Sequence, residues 1–173
     1  SWTAPVSDGG SAITSYTIQQ TTVANPIETD WAAATVSTRV GSSATVTGLT
    51  NGTDYYFRIS ATNAGALTSP LSNISAATMP FTAPAAPEIT AAATSGALNI
   101  TITAPADNGR AITSYQYSLD GGTTWTAFSN NATSQALTGL VNGTAYSVRV
   151  RALNLAGFGP QSNAASATPS GLA

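Results

Sequence analysis

The sequence predicts an all-β protein made of two antiparallel β-sandwiches in tandem, and three observations carry that expectation. Segments such as Tyr146-Ser147-Val148-Arg149-Val150-Arg151-Ala152 alternate apolar and polar residues, the period-two pattern of half-buried strands rather than the 3.6 of helices. Motifs recur in the same order: Ala12-Ile13-Thr14-Ser15-Tyr16 returns as Ala111-Ile112-Thr113-Ser114-Tyr115, and Gly48-Leu49-Thr50-Asn51-Gly52-Thr53 as Gly139-Leu140-Val141-Asn142-Gly143-Thr144. The spacing, roughly 90 to 100 residues, is that of a domain rather than a solenoid turn. Clusters of Gly, Asn, Asp and Pro separate the alternating runs, which suits about seven short strands per sandwich.

Taken in order, the first copy occupies residues 1–79. Its clearest strand is Tyr55-Tyr56-Phe57-Arg58-Ile59-Ser60-Ala61, with Tyr55, Phe57 and Ile59 expected to face inward. Residues 80–87 hold three prolines and read as a stiff linker. The second copy, 88–173, opens with a strand near Glu88 to Thr94. Leu98, Ile100 and Ile102 then alternate with Asn99, Thr101 and Thr103, and Tyr115, Tyr117 and Leu119 with Gln116 and Ser118. After the Asp120-Gly121-Gly122 turn, Tyr146, Val148 and Val150 are the inward residues of a later strand. Aligned on the second copy, the first starts late in its second strand, short of it by about twenty residues. The expectation is a piece of a longer array whose preceding part lies outside the sequence; the alternative is a strand donated by another subunit. The tail Ser170-Gly171-Leu172-Ala173 is too short to be such a donor.

The repeat resembles the fibronectin type III domain, in the form common in bacterial tandem repeats. Leu140 through Tyr146, and Leu49 through Tyr55, look like that family's tyrosine corner, in which the hydroxyl of Tyr146 or Tyr55 bonds back to the chain. Trp2 sits where the family places its core tryptophan, with Ile102 as its counterpart. Asn63-Ala64-Gly65 and Asn154-Leu155-Ala156-Gly157 resemble the loop between the last two strands. The resemblance implies immunoglobulin-like sandwiches, the first lacking its N-terminal strand. Ser118 through Trp125 resembles an Asp-box hairpin, Ser-x-Asp-x-Gly-x-Thr-Trp, in which Asp120 holds turn amides and Trp125 packs back over the turn. Only Trp31 stands at the comparable place in the first copy.

Composition narrows the function. The chain is 42% hydrophobic, 7% charged and carries a net charge of −2. Its five cations are all arginine, at 39, 58, 110, 149 and 151, too few and too scattered for the basic stripe that nucleic acid needs. Cys, His and Lys are all missing from the sequence, which removes thiol nucleophiles, imidazole bases, Schiff-base lysines and the usual zinc ligands. No cofactor and no metal site is expected. Catalysis would rest on Asp8, Glu28, Asp30, Asp54, Glu88, Asp107 and Asp120, which fall mostly in turns and linkers rather than as a pair flanking a cleft. Asp8-Gly9-Gly10 and Asp107-Asn108-Gly109 occupy equivalent loops; one carboxylate per loop is far from a calcium cage, and turn capping is the simpler use. The N-terminus has no signal-peptide pattern, and no apolar run has the length of a membrane span.

The function expected is a non-catalytic one. The surface is dominated by hydroxyl and amide groups, a style that suits an extracellular, cell-surface or virion protein: spacer and presentation domains of a surface, fibre or adhesin-type protein. Alternatives are an accessory or carbohydrate-binding region of a secreted polysaccharide-degrading enzyme and a phage decoration or fibre protein. Expected partners are neighbouring repeats of the same polypeptide, other surface subunits or polysaccharide. Phe158, in a permissive Gly-Phe-Gly-Pro loop, and Tyr56 are the aromatics set to meet a partner. Asn-x-Ser/Thr sequons stand at Asn51, Asn73, Asn99, Asn131 and Asn142; in a chain so rich in Ser and Thr they do not by themselves indicate glycosylation.

Overall fold

Alternation becomes pairing along one long strand in each half of the chain. The computed structural model describes residues 1–171, so Leu172 and Ala173 of the tail lie outside the described residues. The chain divides at Pro80 into Ser1–Pro80 and Phe81–Ala173.

The first unit contains β1 (Ile13–Thr21), β2 (Ala32–Ala33), β3 (Val36–Val40), β4 (Ser43–Val46) and β5 (Tyr56–Asn63), with a 3-10 turn at Glu28–Asp30. They form an antiparallel sheet ordered β2-β1-β5 and a separate β3-β4 hairpin. The β1/β5 register sets Ile18 opposite Ile59 and Gln19 opposite Arg58.

The second unit contains β6 (Glu88–Thr94), β7 (Ala97–Thr103), β8 (Ser114–Ser118), β9 (Thr126–Ala127), β10 (Ser134–Thr138), β11 (Tyr146–Asn154), β12 (Gly157–Phe158) and β13 (Ala165–Ala167). One sheet runs β10-β7-β6 and the other β12-β11-β8-β9, with β13 paired to β11. Leu98, Ile100, Ile102 and Leu137 from the first sheet meet Tyr115, Val148, Val150 and Ala152 from the second in one buried cluster that also holds Ile89 and Phe128. Burial of this kind stabilises a sandwich by about 25 cal/mol per Å² of apolar surface.

The first unit has no matching core. Among its described residues only Tyr55 and Ala61 are buried apolar side chains. Phe57 and Ile59, expected inside, are half-buried, whereas Arg58, expected on the wet face, is buried. The inner face of β5 looks across a groove to Ala44 and Val46 of the β3-β4 hairpin, while the outer face is covered by Trp31 and Glu28. Trp2 also departs from expectation, lying outside any strand and half-buried. Its backbone N–H donates to the Ser42 carbonyl at 3.0 Å, just as that of Ile102 donates to Thr133 at 2.7 Å, and its ring meets Tyr16 edge-on at 4.9 Å.

The proline-rich stretch is built into its neighbours. The Gly52 N–H donates to the Pro80 carbonyl at 2.9 Å, and the Thr82 N–H to Asn108 at 3.2 Å. Pro84 and Pro87 are fully buried and the Ala85 N–H donates to Ala106, so 82–87 packs as part of the second unit. Proline suits this place because it buries apolar surface and brings no amide donor to satisfy. Phe81 alone stands between the two sets of bonds, its ring 4.8 Å from the Arg110 guanidinium.

A serine ladder replaces the last strand of the first unit. The amides of Ser69, Ser72 and Ser75 donate to the carbonyls of Ala61, Ile59 and Phe57. Their hydroxyls accept from the amides of the same three residues at 3.0–3.1 Å. Ser162 does the same for Val150 in the second unit before β13 begins.

Candidate functional site

The residues with the most directed chemistry lie on the outer face of β11 and β8. Register sets Arg151 opposite Gln116, and cross-strand neighbours on one face are close enough for long polar side chains to pair. Arg151 Nε and Nη2 donate to Gln116 Oε1 at 3.0 and 2.6 Å. The guanidinium lies 4.3 Å from the Trp125 ring centroid and 4.1 Å from that of Phe158, within the range where the ring quadrupole attracts a cation. The β11–β12 pairing of Leu153 with Phe158 brings that ring to the stack, and Phe158 remains 39% exposed. The expected contact residue is thus one end of a Trp125–Arg151–Phe158 stack.

The first unit builds a related cluster from different positions. Arg58 Nε donates to Gln19 Oε1 at 2.7 Å across the β1/β5 register. Its guanidinium lies 4.3 Å from the Trp31 ring and forks onto Glu28, with Nη1 to Oε2 at 2.8 Å and Nη2 to Oε1 at 2.5 Å. These hydrogen bonds, then the charge of Arg58, hold the Glu28 carboxyl below its usual range despite some desolvation. Tyr56, the other expected contact residue, is half-buried and opposite Thr21.

The hairpin at Asp120 is held from within. Asp120 Oδ1 accepts from the Ser118 hydroxyl at 2.6 Å and from the amides of Thr123 and Thr124 at 3.0 and 2.9 Å. Oδ2 accepts from the Thr124 hydroxyl at 2.7 Å. The Ser118 bond and the Thr124 amide and hydroxyl bonds drive the carboxyl far below its ordinary value, because each donor favours the ionised form. Trp125 Nε1 donates to the Gly122 carbonyl at 3.1 Å, closing the ring over the turn. Gly122 has φ +106° and faces Gln161 where a Cβ would stand.

Both tyrosine hydroxyls reach back along the chain. The Thr50 amide donates to the Tyr55 hydroxyl at 2.9 Å and the Val141 amide to that of Tyr146 at 3.1 Å. Asp8 and Asp107 accept the amides of Gly10 and Gly109. A pair of buried asparagines, whose role sequence reasoning missed, ties these loops to the ends of β5 and β11. Asn63 Nδ2 donates to the Asp8 carbonyl and Asn154 Nδ2 to that of Asp107, both at 2.9 Å. The signal was there: Asn63 and Asn154 end the same alternating strand in both copies. Among the sequons, Asn142 Oδ1 accepts the Gly96 amide, Asn131 Nδ2 donates to Ile112, and Asn73 is exposed.

These arrangements stack, cap turns and pair charges. Among the described residues no three acidic side chains come together, and the fold is that of two units of one sandwich class. The family model of the fibronectin type III domain matches residues 1–77 and 82–168, and the chain belongs to that family. Among solved structures it is similar to the chicken CNTN1 FN1-FN3 domains, at 26% identity over 95% of this chain and 59% of that one, with a TM-score of 0.47. It is also similar to titin kinase and its flanking domains, at 23% identity over 51% of this chain and 17% of that one, with a TM-score of 0.44. The chain spans about 59% of the length of the first of these. No helix among the described residues is long and apolar enough to cross a membrane.

Proposed function

We propose that the chain is a non-catalytic structural and interaction module, a tandem spacer that presents its faces within a larger extracellular surface, fibre or adhesin-type protein. The observation that carries this reading is the repetition of one fibronectin type III unit across a junction where Phe81 alone separates the bonds of Pro80 from those of Thr82. A junction so short restricts pivoting more than a free linker would. The carboxylate with the most directed bonds, Asp120, is spent on its own turn, and the chain offers no His, Cys or Lys for acid-base or nucleophilic work. Small-angle scattering of the full chain tests the reading. A narrow distribution of interdomain distances is expected; the broad distribution of a freely jointed pair would contradict it.

A second reading, contact with polysaccharide, is favoured by the Trp125–Arg151–Phe158 stack, which pairs an exposed ring with hydrogen-bonding side chains. Affinity electrophoresis on several polysaccharides separates the two. Retardation lost in Phe158→Ala supports sugar contact, and unretarded migration on all of them leaves the spacer reading.

A further inference from the structure

Arg58 and Arg151 are held alike except at one edge. Each stands on the outer face of a long strand with a glutamine directly opposite in register. Gln19 Oε1 accepts from Arg58 Nε, and Gln116 Oε1 from Nε and Nη2 of Arg151. Each guanidinium also lies 4.3 Å from an indole centroid, that of Trp31 or of Trp125. At Arg58 the remaining edge, Nη1 with Nη2, is filled by the two carboxylate oxygens of Glu28. At Arg151 no side chain among the described residues fills it, and Arg58–Glu28 is the one ion pair among them. Arg151 Nη1 donates to no acceptor and stays open to solvent, unlike Nε of Arg149 and of Arg110, which are sealed off and unpaired. The acids of the second unit lie elsewhere: Glu88 on the β10-β7-β6 sheet, Asp107 on the Gly109 amide and Asp120 on its own hairpin.

The stack narrows what can enter. Trp125 and Phe158 take the faces of the Arg151 guanidinium, which leaves the Nη1–Nη2 edge as the way in. A planar carboxylate matches that edge with two parallel charge-assisted hydrogen bonds, and Glu28 is the chain's own example of one in place. Phe158, 39% exposed, adds an apolar ring beside the fork. A uronic acid carries both complements in one rigid unit, a carboxylate fixed to a sugar ring whose C–H face stacks on an aromatic, so little ordering entropy opposes binding. A glutamate of a peptide brings its carboxylate on a flexible stem and offers no ring face. We infer that Arg151 and Phe158 bind a uronic acid of an acidic polysaccharide. Its carboxylate takes the place at Arg151 that Glu28 holds at Arg58, and its ring lies against Phe158. The inference rests on the polysaccharide reading given above and names the class of sugar.

NMR titration of the full chain with short oligomers of galacturonate, mannuronate and glucuronate tests this, with the methyl esters of the same oligomers as neutral comparisons. At least one acid should shift the signals of Gln116, Arg151 and Phe158 and bind about tenfold or more tighter than its ester, the effect of a hydrogen-bonded charge pair. Arg151→Lys keeps the charge and loses the fork; it should weaken the acid by a similar factor and leave the ester unchanged. An ester that binds these residues as tightly as its acid overturns the carboxylate assignment while sugar contact stands. If no oligomer shifts them, the inference is overturned, and affinity electrophoresis on neutral polysaccharides decides separately whether the reading beneath it survives. Equal affinity at the same residues for acetyl-Glu-Gly-Glu-amide would also overturn it, in favour of an acidic peptide.

Discussion

Phe57 and Val148 occupy one position of the same repeat, yet Val148 is sealed from solvent and Phe57 is half exposed. The difference lies in what faces them. Val148 shares a core with Leu98, Ile100 and Ile102 of β7, whereas among the described residues Phe57 lines a groove with Trp2, Ile18 and Val46. A side chain's apolar character thus sets where it points, and the opposing sheet sets how much it contributes.

Core truncation sharpens that contrast most. Ile100→Ala should cost the second unit about 2–5 kcal/mol, because a sealed core keeps the cavity. Phe57→Ala should cost the first unit about 1–2 kcal/mol, since much of the ring is already in water. Urea denaturation with amide exchange read separately in each unit measures both, and equal losses would erase the contrast.

The serine ladder gives the next effect. Ser162 is buried, so Ser162→Ala leaves the Val150 amide without its hydroxyl acceptor where water is excluded and should cost about 1–3 kcal/mol. Ser72 is exposed, and Ser72→Ala should stay within about 0.5 kcal/mol because water replaces the lost bond. Chemical denaturation of the two variants side by side shows whether burial decides the outcome.

The tyrosine corners should behave alike. Tyr55→Phe and Tyr146→Phe each remove one amide-to-hydroxyl bond, and each is expected to cost about 1 kcal/mol. A loss confined to one unit would show that the corner depends on how tightly the core behind it is packed.

Acid sensitivity is the smallest effect and again separates the units. Asp120 has its folded pKa depressed from 3.8 and Glu28 from 4.5. Each therefore adds stability in full above its ordinary value and loses it as pH falls toward the folded value. Asp120→Asn should flatten the acid limb of the second unit below about pH 3.8. Glu28→Gln should flatten that of the first less, because its exposed ion pair is screened by solvent. Melting temperatures measured from pH 6 downward, an interval set by the ordinary carboxylate range, compare the two slopes.

Much of this was legible in the residues. Period-two alternation places β6, β7 and β11, and the Leu-x-Asn-Gly-Thr-x-Tyr corner places both hydroxyls, because these signals are local. What alternation could not reveal depends on neighbours far along the chain. Arg58 reads as an outward residue, and it is outward; Trp31, some thirty positions away, is what covers it. Phe158 reads as a lone loop aromatic because Arg151, which joins it to Trp125, is named by pairing between strands. The prolines of 82–87 read as a tether since composition does not show that Pro84 and Pro87 have a core to enter. Serines at 69, 72 and 75 give a period of three, which neither strand nor helix patterning detects.

Native-state hydrogen exchange on the unmodified chain tests the central claim most directly, by setting β4 against β10. Amides of Ser134–Thr138 that bond to β7 should exchange only with opening of the second unit, and those of Ser43–Val46 that do not bond to β3 should exchange orders of magnitude faster. Equal protection of the two strands would contradict the contrast between β10, paired along β7, and β4, whose strand partner among the described residues is β3 alone.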